Sequence, residues 1–206
     1  MDHDQLAYAC GVLAGRGFIK QGRNNCVGLQ TSNKDLAELF SEALGDIRGW
    51  DVVIKKKQLR GKIYFVVNAY GKELVQVFDS LGFTPGRRNW QPPKHAYENQ
   101  AFRLNFLAGF FDATGFVYFN REKFSVSGSG YRYVRVTSVN AAGLAEIKKL
   151  LLMEGVESSL RKPVKGPTFL VLSGGWRLKT FSERVRLRTD KKGGLETVIN
   201  VLQITR

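Results

Sequence analysis

The side chains with most chemistry to offer are cations spaced among tyrosines and amides. Lys20, Arg23, Lys55, Lys57 and Lys62 fall in the first half of the chain beside Tyr64 and Asn68. Tyr118, Asn120, Tyr131, Tyr133, Arg135, Thr137, Arg161 and Lys165 fall in the second. Lysine and arginine neutralise phosphates, the arginine fork pairs with base edges, and Tyr, Asn and Thr offer groove contacts or stacking planes. That is the chemistry of nucleic-acid binding. The charge balance agrees: 206 residues carry 32 Lys and Arg against 18 Asp and Glu, a net charge of +14. Such an excess, present in both halves, selects a polyanionic partner. No apolar run reaches transmembrane length, and no helix reads as a basic amphipath with an aromatic apolar face, so a membrane is not the expected polyanion. Cys10, Cys26, His3 and His95 are too few and too scattered for a zinc cluster or a disulfide framework, and no metal or cofactor is expected. The acidic Met-Asp-His-Asp start resembles no secretory or transit segment, which points to an intracellular setting.

These residues need strands to present them, and the alternation supplies two clear cases. In Lys62–Asn68, Ile63, Phe65 and Val67 face one way, leaving Lys62, Tyr64, Val66 and Asn68 on the other face. In Tyr131–Thr137, Val134 and Val136 suit a core, so Tyr131, Tyr133, Arg135 and Thr137 face outward. Further strands are predicted at Gly17–Gln21, Cys26–Thr31, Trp50–Lys57, Phe116–Arg121, Val156–Lys162 and Thr168–Leu172. A twisted antiparallel ribbon of this composition fits a major groove.

Helices separate the hairpins. Asn33 is the predicted N-cap of a helix carrying Leu36, Leu39, Phe40, Ala43 and Leu44 and closed by Gly45. Two other stretches, Ala9–Gly17 and Leu107–Gly115, read as two copies of one helix ending, with closing glycines 98 positions apart. Small residues recur one turn apart in each, Gly11 and Gly15 in the first and Gly109 and Ala113 in the second. Such spacing lets two helices approach closely at a shared seam. The chain therefore divides into residues 1–84, a turn-rich linker at 85–97, and residues 98–206. The expected class is α+β: two pseudo-symmetric αββαββα halves, each with one four-stranded antiparallel sheet, packed as a monomer with internal twofold pseudosymmetry.

Gly-Val-Leu-Ala-Gly-Arg-Gly and Leu-Ala-Gly-Phe-Phe-Asp-Ala-Thr-Gly resemble the motif of the LAGLIDADG homing endonucleases and maturases. The helix and hairpin order, and the Thr-Ser-Asn33 and Thr-Ser-Val-Asn140 entries to the following helices, extend the resemblance over the whole chain. It implies two saddle-shaped sheets over a nucleic acid, with an acid before each final motif glycine holding the divalent metals that support strand cleavage. Those positions here are Arg16 and Thr114, neither a carboxylate. The expected function is therefore binding of duplex DNA or structured RNA without metal-dependent cleavage, Arg16 meeting a central phosphate instead. The alternatives are an active site-specific endonuclease, for which Mg²⁺ would be required, and an intron maturase or structural ribonucleoprotein component. Asp112 turns to another side of its helix, which suits a structural role.

Overall fold

Asp and Asn side chains set the start of the long helices. Asp2 accepts from the amides of Asp4 and Gln5 and opens α1 (His3–Gly15); Asn33 accepts from Leu36 and opens α2 (Lys34–Arg48). Asn99 and Asn140 do the same for α5 (Gln100–Thr114) and α6 (Ala141–Met153). Each cap satisfies an amide that the first helical turn leaves without a partner. The computed structural model describes residues 2–83, 88–119 and 132–204; Asn120, Arg121, Tyr131 and part of the 85–97 linker lie outside them.

The first half continues with β1 (Phe18–Lys20), β2 (Cys26–Thr31), β3 (Ile54–Leu59), β4 (Lys62–Tyr70) and α3 (Lys72–Ser80). After the short α4 (His95–Glu98) and α5, the second half has β5 (Phe116–Phe119), β6 (Arg132–Ser138), β7 (Ser159–Arg161), β8 (Thr168–Ser173), α7 (Gly175–Arg184) and α8 (Lys191–Ile204). The two sheets have the same antiparallel order, β1-β2-β4-β3 and β5-β6-β8-β7. This is the two-half α+β architecture, with one four-stranded sheet in each half.

The helices α1 and α5 are apolar all round and form the centre of the molecule. Residues 6–14 of α1 are all buried, as are Phe102, Arg103 and 106–113 of α5. A helix buried on every side must pack against neighbours on every side. The seam between them runs along Gly11, Gly15, Gly109 and Ala113. A Cβ on Gly11 would lie 2.0 Å from the Phe106 carbonyl oxygen, and one on Gly109 would lie 2.2 Å from that of Tyr8. Gly15 faces the Ala113 methyl. Cys10 is fully buried beside this seam, and burial pushes its thiol pKa up.

Several local expectations are corrected. Gly45 lies inside α2, which runs on to Arg48 and ends at Gly49 in the left-handed region (φ 82°). Helix interiors tolerate a glycine, and only Gly49 adopts the conformation that the C-cap requires. Gly17 and Gly115 are not left-handed caps: Gly115 is extended (φ −64°, ψ 141°), and Gly17 is not among the positive-φ glycines. They are glycines because a Cβ would strike Leu13 in one case and the Phe111 carbonyl, at 2.6 Å, in the other. β3 begins at Ile54, since Trp50–Val53 approach the sheet without pairing, and β7 pairs only over Ser159–Arg161.

In each half the chain leaves its third helix and crosses to the other half. After α3, Trp90 buries its ring against Phe110 (centroids 5.2 Å) and its carbonyl accepts from Asn140 Nδ2 at 2.7 Å. After α7, Asp190 accepts from Asn33 Nδ2 at 3.0 Å. Each crossing strap thus holds the N-cap residue of the opposite half. A buried Arg103–Glu154 pair, 2.6 Å apart, further ties α5 to the end of α6.

Candidate nucleic-acid interface

The period of two along each strand gives each sheet a helix-packed face and an outer face. Val67 and Ala69 of β4 are buried against the helices, so Lys62, Tyr64, Val66, Asn68 and Tyr70 lie outward. Cross-strand register adds Lys57 opposite Tyr64 and Lys55 opposite Val66. It also adds Phe18 and Lys20 through their β2 partners Gly28 and Cys26. In the second half Val134 and Val136 pack inward, so Tyr133, Arg135 and Thr137 lie outward with Phe116 and Tyr118 of β5. Val171 and Phe169 of β8 and Arg161 of β7 complete that face. Among the described residues, none of the eight strands contains Asp or Glu. The acids sit on helices and connections, leaving both outer faces cationic or neutral.

Lys20, Lys55, Lys57, Lys62, Thr137 and Arg161 are exposed on these faces, and Arg23 and Lys165 are exposed in the turns β1–β2 and β7–β8. Asn68 differs from the expectation. It points outward, but its Oδ1 is shut off from solvent near the Phe18 ring and has no hydrogen-bond partner among the described residues. Ile63 lies on the helix side yet is 56% exposed, because the β3–β4 hairpin extends past the helices that cover the rest of the sheet. Phe18, Tyr70, Phe116 and Phe169 belong to the outer faces and were not singled out from sequence, where they read as ordinary strand aromatics.

Between the sheets lies a groove of about 540 Å³, lined at the end of α1 by Gly15 and Arg16, by Gln30 and Thr137 from the two sheets, and by Trp90. Arg16 is exposed there; its amide donates to the Val12 carbonyl at 2.9 Å, and its side chain makes no hydrogen bond or ion pair among the described residues. Thr114 Oγ1 donates to the Phe110 carbonyl at 2.7 Å. An arginine and a neutral hydroxyl do not form a divalent-cation site. Among the described residues no group of three or more His, Cys, Asp or Glu is placed to hold a metal.

Asp112 is fully buried and turned away from this groove. It accepts from Tyr8 Oη at 3.1 Å, from the Arg188 amide at 2.9 Å, and from the Thr189 amide and hydroxyl at 3.3 and 2.7 Å. Arg188 lies over the Tyr8 ring (4.3 Å) and donates to Gln5 and Asn105. The carboxylate therefore binds the C-terminal crossing strap to the seam. Desolvation, reinforced by Asp112, pushes the Tyr8 hydroxyl pKa far up, keeping it a donor.

Lys191 was not anticipated. Its Nζ donates to the Phe111 carbonyl at 3.2 Å and to that of Asp112, both in the last turn of α5, where the Phe111 carbonyl also accepts from the Gly115 amide. Burial, with Arg16 nearby, lowers its pKa to about 8, against the opposing pull of Asp112 and Asp190. Only the fold brings this lysine to the motif, so no sequence spacing could have found it. The unfolded chain holds this proton up to a pKa near 10.4. Between pH 8 and about 10.4 the unfolded state therefore binds more protons at this site, and its contribution to stability rises with pH. Urea unfolding of wild type minus Lys191→Met at pH 7.5, 9 and 10 is expected to show that rise. A difference independent of pH would mean the ammonium is not desolvated.

Residues 101–186 match the family model of the LAGLIDADG-like domain. No curated protein sequence matches the chain significantly. Among solved structures, I-DmoI in complex with DNA and Ca has a TM-score of 0.64 at 16% identity, over 95% of this chain and 98% of that one. I-WcaI bound to its DNA recognition sequence has a TM-score of 0.68 at 13% identity, over 94% and 86%. Full-length DUF199/WhiA from Thermatoga maritima has a TM-score of 0.65 at 10% identity; the match takes in 100% of this chain and 62% of that one. At these identities the likeness is one of fold.

Proposed function

From a chain with the two-half LAGLIDADG fold and a LAGLIDADG-like domain across its second half, we propose a monomeric protein that binds duplex DNA through the outer faces of its two sheets and does not cut it. The observation that carries the binding is the absence of any carboxylate from the eight strands of the described residues while Lys20, Lys55, Lys57, Lys62, Arg135 and Arg161 lie on their outer sides. Two like-charged sheet faces with a groove between them suit a polyanion spanning both. Duplex DNA is preferred because I-DmoI and I-WcaI, of the same fold, have been solved with DNA. Loss of cleavage is supported by the donor set at the motif ends. Arg16 and Thr114 stand where a metal would need acids, and Lys191 adds a second cation close by. Arg16 would meet a central phosphate directly, supplying positive charge from a side chain.

The test is fluorescence anisotropy with a duplex selected from a random pool, followed by incubation with Mg²⁺ or Mn²⁺ and resolution of both strands on a denaturing gel. With about five phosphates neutralised, affinity is expected to fall about 10²- to 10³-fold between 50 and 200 mM salt. Both strands are expected to stay intact, and added metal should not tighten binding. Metal-dependent cuts in both strands would overturn the binding-only reading in favour of an endonuclease. Preference for structured RNA over every duplex would shift it to a maturase-like role.

A further inference from the structure

The two halves can be compared position by position, because their sheets share one register. Opposite Phe18 in the first sheet is Gly28; opposite its counterpart Phe116 in the second is Arg135. Opposite Lys20 is Cys26, whereas the matching pair in the second sheet is Tyr118 and Tyr133. Further along, Gln30 faces Val66, while Thr137 faces Phe169. The first outer face is thus rich in lysine, with Lys55, Lys57 and Lys62 at its far edge, and its rings Phe18, Tyr64 and Tyr70 are not paired opposite one another in the strand register. The second has exchanged lysine, cysteine, glycine and valine for two tyrosines, an arginine and a phenylalanine.

The geometry of that exchange is specific. Tyr118 and Tyr133 are stacked, with centroids 4.9 Å apart and planes within 15°. The Arg135 guanidinium sits among three rings, 5.4 Å from Phe169, 5.8 Å from Tyr133 and 5.9 Å from Phe116. Phe116 is 52% exposed, and the other members are half-buried. Beside them Arg161, Lys162, Pro163 and Val171 close an apolar depression of about 380 Å³ with Arg135 and Phe169. A paired duplex offers a groove-facing sheet little that calls for a platform of rings, since its bases are already stacked on one another. Rings with interposed arginine and a cationic rim are what unpaired bases need: a flat partner for each base and a charge for the adjoining phosphate.

We infer that the second sheet holds unpaired nucleobases by stacking, so the preferred ligand is duplex joined to a short unpaired stretch, with the duplex on the lysine-rich first sheet. This rests on the nucleic-acid-binding reading above and narrows it: the duplex is kept to the first sheet, and the second sheet, given there to duplex as well, takes unpaired bases instead. It also gives the pseudosymmetric halves different tasks, one following phosphates and the other reading bases taken out of the stack.

The probe is a DNA duplex carrying a four-nucleotide single-stranded tail with 2-aminopurine in the tail, compared with a fully paired duplex of equal length. The tailed probe is expected to bind about 10- to 100-fold more tightly, as stacking of one or two bases supplies. Its 2-aminopurine emission should be quenched on binding. Phe116→Ser, at a site 52% exposed, and Tyr133→Leu should each weaken the tailed probe several-fold more than the duplex and so remove much of this preference. Lys55→Gln with Lys57→Gln should weaken both probes alike. Equal affinity for the two probes with unchanged 2-aminopurine emission would overturn this inference and leave duplex binding standing. Failure to bind either probe would overturn the nucleic-acid reading itself.

Discussion

Asp112→Ala is expected to lose about 3–5 kcal/mol of folding stability, the range for removing one partner from a buried charged network. The carboxylate is fully buried and accepts four hydrogen bonds, three of them from Arg188 and Thr189. Alanine leaves Tyr8 Oη, two backbone amides and a hydroxyl facing a void, each a desolvated donor without a partner. The effect should spread to the strap, because the same segment carries Asp190 to Asn33 and Lys191 to the end of α5. Thr189→Val, which removes one donor and leaves the carboxylate three partners, should cost only about 1 kcal/mol. Urea unfolding followed by far-UV circular dichroism measures both. An Asp112→Ala variant within 1 kcal/mol of wild type would show that the strap holds without its anchor. Nucleic-acid affinity per folded molecule should change little, since Asp112 faces away from both sheet surfaces.

Gly109→Ala is expected to cost about 3 kcal/mol or more, at or above the top of the usual range for overpacking. Its Cβ would lie 2.2 Å from the Tyr8 carbonyl oxygen and 3.1 Å from the Val12 amide nitrogen. Those atoms are backbone of the facing helix, so no side chain can swing aside and the two helices must part. The helix propensity gained by replacing glycine, about 1 kcal/mol, offsets only part of that. Gly45→Ala in α2 is the control: its Cβ would meet nothing nearer than the Trp50 carbonyl at 3.5 Å. That variant should be more stable than wild type by about 0.5–1 kcal/mol. Opposite signs for one substitution in two helices would locate the cost in the seam; two stabilised variants would reject close helix approach as its cause.

Local pattern was enough for much of this. Alternation assigned the two faces of Lys62–Asn68 and of the described part of Tyr131–Thr137, because a side chain on a pleated strand has only two directions to choose from. Asn33 was legible as a cap, because its side chain acts on an amide three residues away. The four-strand count per half and the α+β class follow from the same short-range signals. Helix ends were less legible: Gly45 and Gly49 are both plausible stops in sequence, and the left-handed turn at Gly49 decides between them. Gly17 and Gly115 are legible as helix ends, but why they are glycines is not, since the Leu13 and Phe111 atoms that exclude a Cβ show only once the chain has turned back on itself.

The chemistry at the centre was decided by tertiary structure. Asp112 meets residues 76 and 77 positions away, and Lys191 reaches a carbonyl 80 positions away. No periodicity reports such distances, because loop closure joins them and packing alone sets which atoms meet. Arg135 could be read as an outward arginine but not as one held among three rings, since those rings come from β5, β6 and β8. Residue type and strand alternation settle which faces are charged, which are apolar and which chemical groups are missing from the motif ends. Only the fold decided what the remaining groups touch, because burial and hydrogen bonding depend on neighbours that the chain brings together from both of its halves.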